Sequence, residues 1–176
     1  GASIAIRMLR FGEADAPEND WWQNQIAQAV DLRRFLQLLE QPEQNSCRLV
    51  HAEGDGLPGL IADWYNGVVV LQTHSMGMAR ALPMIVDALQ DAFGDSLRGI
   101  YNKSEKVLGK HGQTSPAPDG WLTGELDAST VVAMEYGMAF EVDIVQGQKT
   151  GFFLDQRENR ALLGQMSKGR KVLNVF

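Results

Sequence analysis

Asn66-Gly67 lies between two apolar runs, LIADWY and VVVLQTH. Both central residues of the tightest hairpin turn must take positive φ, which Asn and Gly tolerate best, so this segment predicts an antiparallel hairpin. CRLVHAE comes before it across the turn-rich GDGLPG and adds another strand. Ala79 to Phe93 sets Leu82, Ile85, Val86, Leu89 and Phe93 at helical spacing, with Pro83 in the first turn and Gly94 as a stop. LRGIYNKS then returns as a short strand. Three strands, a helix and a strand predict an α+β fold with a central mixed sheet and a covering helix.

An amphipathic helix is predicted over roughly 20–40, opened by an Asp20/Gln23 capping box, with Trp22, Ile26, Ala29, Leu32, Leu36 and Leu39 on one face. Trp22 reads as a core anchor rather than a base-stacking platform. Residues 104–124 have no sustained period and read as a long loop or connector. A second hairpin is expected from VVAMEY and MAFEVDI, turning at Tyr136-Gly137. GQKTGFFLDQRENRALLGQM then reads as a glycine-flanked loop entering a helix capped by Asp155. GRKVLNVF reads as a buried strand through Val172, Leu173, Val175 and Phe176. The opening GASIAIRMLRFG alternates like a strand, yet no partner precedes it, which suggests a chain that starts inside a domain.

The longest apolar run is Val68-Val69-Val70-Leu71, far short of the ~18 residues of a membrane span. One cysteine, Cys47, fits a reducing, cytoplasmic setting and allows no internal disulfide. Three widely spaced histidines match no zinc pattern, so no metal is expected. The net charge is -6, split as -10 over residues 1–145 and +4 over 146–176, so a polyanion would meet the C-terminal end first. Lys103, Lys106 and Lys110 offer local RNA contacts or, more simply, a solvated loop.

RLVHAEGDGLPGLIADWY, GQKTGFFLDQRENR and GRKVLNVF, in this order, resemble the bacterial 23S ribosomal RNA large-subunit cytosine-5 methyltransferases that carry an N-terminal PUA domain. SIAIR at residues 3–7 is similar to the end of the PUA barrel. The resemblance implies a PUA-like remnant over 1–16, a central α+β domain over 17–124, and the entrance of a Rossmann-like methyltransferase domain over 125–176. It implies S-adenosylmethionine as cofactor and ribosomal RNA as partner, no membrane, and leaves a homodimer open. It assigns Lys149, Thr150, Gly151, Phe152 and Gln156 to the cofactor edge, while Asp155 and Arg157 hold the loop together.

In that family a glycine-rich turn, an acidic ribose ligand and a catalytic cysteine follow the strand that resembles GRKVLNVF, and none is present here. Cys47 reads as incidental, so no catalytic residue is assigned and the chain reads as a fragment. The chain alone is expected neither to methylate RNA nor to bind S-adenosylmethionine tightly, with the Lys149–Gln156 loop facing solvent. The alternative is a non-catalytic RNA- or protein-binding module.

Overall fold

A computed structural model describes residues 7–9, 12, 16–110, 112, 114–126 and 128–175. The expected opening strand and Phe176 lie largely or wholly outside these residues, and Arg7 to Leu9 take no regular structure.

Helix α1 runs Asn19–Phe35 and strand β1 runs Ser46–His51. Strands β2 (Leu60–Tyr65) and β3 (Val68–Thr73) form the expected hairpin, with φ of 47° at Asn66 and 91° at Gly67. Helices α2 (Met76–Arg80) and α3 (Leu82–Phe93) cross over to β4 (Gly99–Asn102), which pairs parallel to β3. Pro83 sits in the first turn of α3, where its missing N–H costs nothing, and Gly94 closes the helix at φ 50°.

Helix α4 (Glu105–Gly109) and strand β5 (Gly120–Thr123) lie where sequence alone predicts only a connector. Strand β5 pairs antiparallel with β4, and Asn102 Nδ2 donates to the carbonyls of Ala117 and Pro118, so long-range bonds order a segment without period. The sheet order is β1-β2-β3-β4-β5, mixed because only β3 and β4 run parallel.

Strands β6 (Thr130–Glu135) and β7 (Met138–Asp143) form the second expected hairpin, turning at Tyr136-Gly137, and helix α5 spans Arg157–Ser167. The hairpin explains the apolar run in β3. Val69 and Leu71 pack with α1 and α3 around Trp22, Ile26, Ile85 and Leu89 on one face. Val68 and Val70 pack on the other face with Val131, Ala133, Val142 and Ile144. A strand covered on both faces needs apolar residues at every position rather than at alternate ones. Each large side chain buried this way contributes about 1.5–3 kcal/mol.

Several expectations need correction. Two long helices, α1 and α3, cover the sheet rather than one. Helix α1 stops at Phe35, and its N-cap is Glu18, so Asp20 lies in the first turn and makes no capping box. Leu32 and Leu36 are exposed, while Val30 and Arg33 turn inward, because Arg33 finds Asp55. Asp155 does not cap α5; it belongs to a short 3-10 turn, Leu154–Gln156, and Gln156 takes the cap position without a side-chain bond to a helix amide. Residues 171–175 form no strand, and Val172, Leu173 and Val175 are exposed. A strand exists only with a neighbouring strand in its ladder, and among the described residues this segment joins neither sheet.

Candidate cofactor-edge site

Strand β7 ends at Asp143, whose Oδ1 accepts from the amides of Val145 and Gln146 at 3.0 and 2.8 Å. The chain then turns tightly, with Gly147 N donating to Asp143 O and Gly151 N to Gln148 O. Lys149, a non-glycine residue, sits at φ 53°, and Gly151 at φ 137°. A left-handed side-chain residue persists only where its surroundings hold it, and here the sheet does so. Gln72 Nε2 donates to Lys149 O at 3.2 Å. Lys103 Nζ donates to the carbonyls of Ile144 and Gly147 at 2.9 and 2.7 Å.

Thr150 is fully buried. Its hydroxyl donates to Asp63 Oδ2 at 2.6 Å and lies 2.9 Å from the Tyr65 hydroxyl, which donates to it because the threonine proton is already used. Asp63 is in turn held by Arg48, Nε at 2.9 Å and Nη2 at 3.1 Å. Burial, then the nearby Asp63 charge, pushes the Tyr65 phenol above its usual range, so it stays protonated and able to donate.

On the outer side, Lys149 Nζ lies 4.4 Å from the Phe153 ring centroid and pairs with Asp155 at 3.1 Å. The hydrogen bond from Lys149 holds the Asp155 carboxyl below its usual range. Phe153 and Gln156 are exposed, and Gln156 Oε1 accepts from Asn159. Phe152 is half-buried, with its ring centroid 5.0 Å from that of Phe140 and the Arg160 guanidinium 4.3 Å above it. Arg157 lies over Tyr136 and meets Glu158.

Of the sequence-predicted residues, the structure leaves Lys149 and Gln156 exposed and turns Thr150 inward. The expectation that the whole loop faces solvent fails at Thr150, because a buried carboxylate of β2 claims its hydroxyl. Lys103 is half-buried, its ammonium caps two carbonyls, and burial, before any charge effect, lowers its pKa. Lys106 and Lys110 are exposed. Sequence reasoning missed Asp63 and Tyr65, and of the adjacent pair Phe152 and Phe153, one of which is expected to face a ligand, it assigned Phe152 where Phe153 is the exposed ring. Asp63 carried a signal, being a charged residue in the middle of an otherwise apolar strand.

Gly151 is required by space as well as by φ. A Cβ there would lie 2.8 Å from Val142 Cγ1 and 2.9 Å from Asp143 O. Gly151→Ala is expected to cost about 1–3 kcal/mol and to speed amide exchange through the loop. Unchanged melting and exchange would show that the turn tolerates a side chain.

Cys47 is buried on β1, and burial, far ahead of the opposing Arg33 charge, pushes its thiol up to about 12. A buried thiol that stays protonated at neutral pH is a poor nucleophile. Native protein at pH 8 is therefore expected to react with a disulfide reagent at least about a hundredfold more slowly than free cysteine, with full reactivity in urea. Rapid native labelling would contradict it. Among the described residues no cluster of three or more His, Cys, Asp or Glu is placed to hold a metal, and no helix is long and apolar enough to cross a membrane.

Residues 47–176, covering the sheet from β1 onward, the hairpin and the loop, match the pattern of the S-adenosylmethionine-dependent methyltransferases. The chain belongs to that family. The cofactor of the family is S-adenosylmethionine, as the sequence resemblance implies, and membership does not favour a non-catalytic module. The chain is 36% identical to ribosomal RNA large subunit methyltransferase I of Shewanella amazonensis over 99% of its own length and 43% of the relative's. It is also 36% identical to a ribosomal RNA large subunit methyltransferase of Deinococcus radiodurans, over 98% of this chain and 43% of that one. It thus spans less than half the length of these relatives.

Among solved structures, a candidate S-adenosylmethionine-dependent methyltransferase from Streptococcus mutans shares the fold, with a TM-score of 0.73 and 21% identity over 88% of this chain and 38% of that one. A candidate methyltransferase complexed with SAH matches at a TM-score of 0.70 and 21% identity, over 86% of this chain and 36% of that one.

The loop's exposed groups fit such a cofactor. Lys149 presents an ammonium, Phe153 an aromatic face and Gln156 an amide, which are group types able to hold a carboxylate and an adenosyl group. The Lys149–Asp155 pair is exposed and screened by solvent, so exchanging Asp155 for a ligand carboxylate costs little.

Proposed function

We propose that the chain is part of an S-adenosylmethionine-dependent methyltransferase that acts on cytosine C5 of large-subunit ribosomal RNA. In this reading residues 1–16 end a PUA-like domain, 17–124 form a central α+β domain, and 125–176 open the methyltransferase domain. Lys149, Gly151 and Gln156 form one edge of the cofactor pocket, and Thr150 and Phe152 lie behind that edge and fix it. The observation that carries it is the loop after β7, held from behind by Asp63 and Lys103 while Lys149, Phe153 and Gln156 stay exposed. The relatives' names, which specify ribosomal RNA, support the substrate class, and the motif resemblance supports cytosine C5.

The cofactor supplies the methyl group. Lys149 orients its carboxylate, Phe153 packs on the adenosyl group and excludes water from it, and Gly151 lets backbone approach. Thr150 and Phe152 contribute by fixing the loop. Attack on C6 of the base needs a thiolate, and Cys47, buried and protonated, does not provide it.

The test is calorimetric titration of the whole enzyme with S-adenosylmethionine, together with methyl transfer to large-subunit ribosomal RNA and mapping of the modified base. Lys149→Ala removes a charge-assisted hydrogen bond and is expected to weaken binding by about tenfold or more. Phe152→Ala is expected to weaken it as well by loosening the loop. No loss in either variant, or a modified base other than cytosine, refutes the reading.

A further inference from the structure

Strand β2 carries one charged side chain. Asp63 is fully buried, and its strand neighbours Leu60, Ala62, Trp64 and Tyr65 are buried too. Taking a carboxylate out of water is costly, and well-packed apolar residues often serve stability as well or better. The buried acid supplies something that an apolar side chain does not: a fixed acceptor of known direction.

One oxygen of Asp63 accepts from Arg48 Nε, and the other accepts from both Arg48 Nη2 and Thr150 Oγ1. Thr150 is therefore held at both ends of its hydroxyl, by Asp63 as acceptor and Tyr65 as donor, across 87 and 85 residues of chain. The residues on either side of it are Lys149 in the left-handed region and Gly151 at a φ that side chains avoid. Fixing Thr150 fixes the turn that decides where the Lys149 side chain emerges. Gln72 completes the hold through the Lys149 carbonyl.

We propose that Asp63, acting through Thr150, is a positioning residue for the cofactor: strand β2 holds the loop so that Lys149 and Phe153 stand ready before the ligand arrives. This deepens the proposed function and rests on it. A loop ordered in advance loses little conformational freedom on binding, and the saving appears as cofactor affinity rather than in the chemical step. Thr150 thereby serves the site from inside the fold, without touching the cofactor.

The experiment measures KM and kcat for S-adenosylmethionine, and amide exchange of the loop, in the whole enzyme and in Thr150→Val, Thr150→Ser, Asp63→Asn and Tyr65→Phe. Thr150→Val keeps the shape and deletes the hydroxyl. It is expected to raise KM about tenfold, to leave kcat at saturating cofactor within about twofold, and to speed exchange of the loop amides. Thr150→Ser restores the hydroxyl and is expected to return KM to within about threefold of the parent. Asp63→Asn should raise KM similarly, and the Asp63→Asn/Thr150→Val double variant should be no worse than the weaker single, because the two act as one device.

If Asp63→Asn does not fold, Tyr65→Phe, which removes only the second hydroxyl, carries the comparison and is expected to raise KM about threefold. Failure of serine to rescue, or a KM unchanged in Thr150→Val, overturns the inference alone. Multiplying effects in the double variant would do the same. An unsubstituted enzyme that binds no S-adenosylmethionine overturns the proposed function and this inference together, and the exchange rates then separate a misplaced loop from a misread ligand.

Discussion

Arg160→Ala is expected to lower the unfolding free energy by about 3–5 kcal/mol, the usual cost of stripping one partner from a buried ion pair. Glu135 sits on β6 with its side chain 1% exposed, and Arg160 reaches it from α5 with Nε at 2.9 Å and Nη2 at 2.7 and 2.9 Å. The same guanidinium covers the Phe152 ring and donates to Phe153 O. Its loss leaves a buried carboxylate without its cation and removes the packing that seats α5 on the hairpin. Domains of this kind have about 5–15 kcal/mol in total, so the change is a large fraction. Urea denaturation at pH 7 measures it, and a loss below about 1 kcal/mol would mean that water reaches Glu135 and replaces the arginine. Glu135→Gln in the Arg160→Ala background should recover part of the loss, because an uncharged amide is cheaper to bury.

The other large effect is expected on the opposite face of the sheet. Trp64 on β2 is 2% exposed, stacks on Phe93 of α3 at 4.3 Å between centroids and 15° between planes, and donates from Nε1 to Leu39 O at 3.3 Å. Truncation to alanine opens a cavity where α3 and the sheet meet and is expected to cost about 3–5 kcal/mol. Trp64→Phe keeps a ring against Phe93 but leaves the Leu39 carbonyl unpaired, so a smaller loss is expected. Equal losses in the two variants, measured by the same denaturation, would show that the hydrogen bond rather than the packing dominates.

The two hairpins and helix α3 were legible because their causes are local. Asn66-Gly67 and Tyr136-Gly137 take the positive φ that their turns need, and the 3.6-residue spacing of Leu82, Ile85 and Leu89 faces one core. Family membership was legible for a related reason: three motif blocks stand in order along the chain, and reading them requires no contacts. The loop that carries Lys149 and Gln156 could be singled out in advance because its glycine spacing and charge are local, and the resemblance points to the same residues.

Other features were not local. The strand expected at GRKVLNVF is absent over the described 171–175, because apolar composition does not provide a pairing partner. Strand β5 went unseen for the opposite reason: its order comes from β4 and Asn102, not from its own period. Helix α1 turned Arg33 inward and Leu32 and Leu36 outward because Asp55, 22 residues on, offered a buried partner. Sequence by itself determined the α+β class, both turns, helix α3 and the loop that carries Lys149 and Gln156. Only the tertiary structure decided that Lys103 is a clamp, that Phe153 rather than Phe152 is the exposed ring, and that Thr150 is spoken for by Asp63 and Tyr65. Short-range steric and turn preferences act on neighbours in the chain, whereas a buried hydrogen bond is set by which distant groups the fold brings within 3 Å of one another, and no local pattern encodes that.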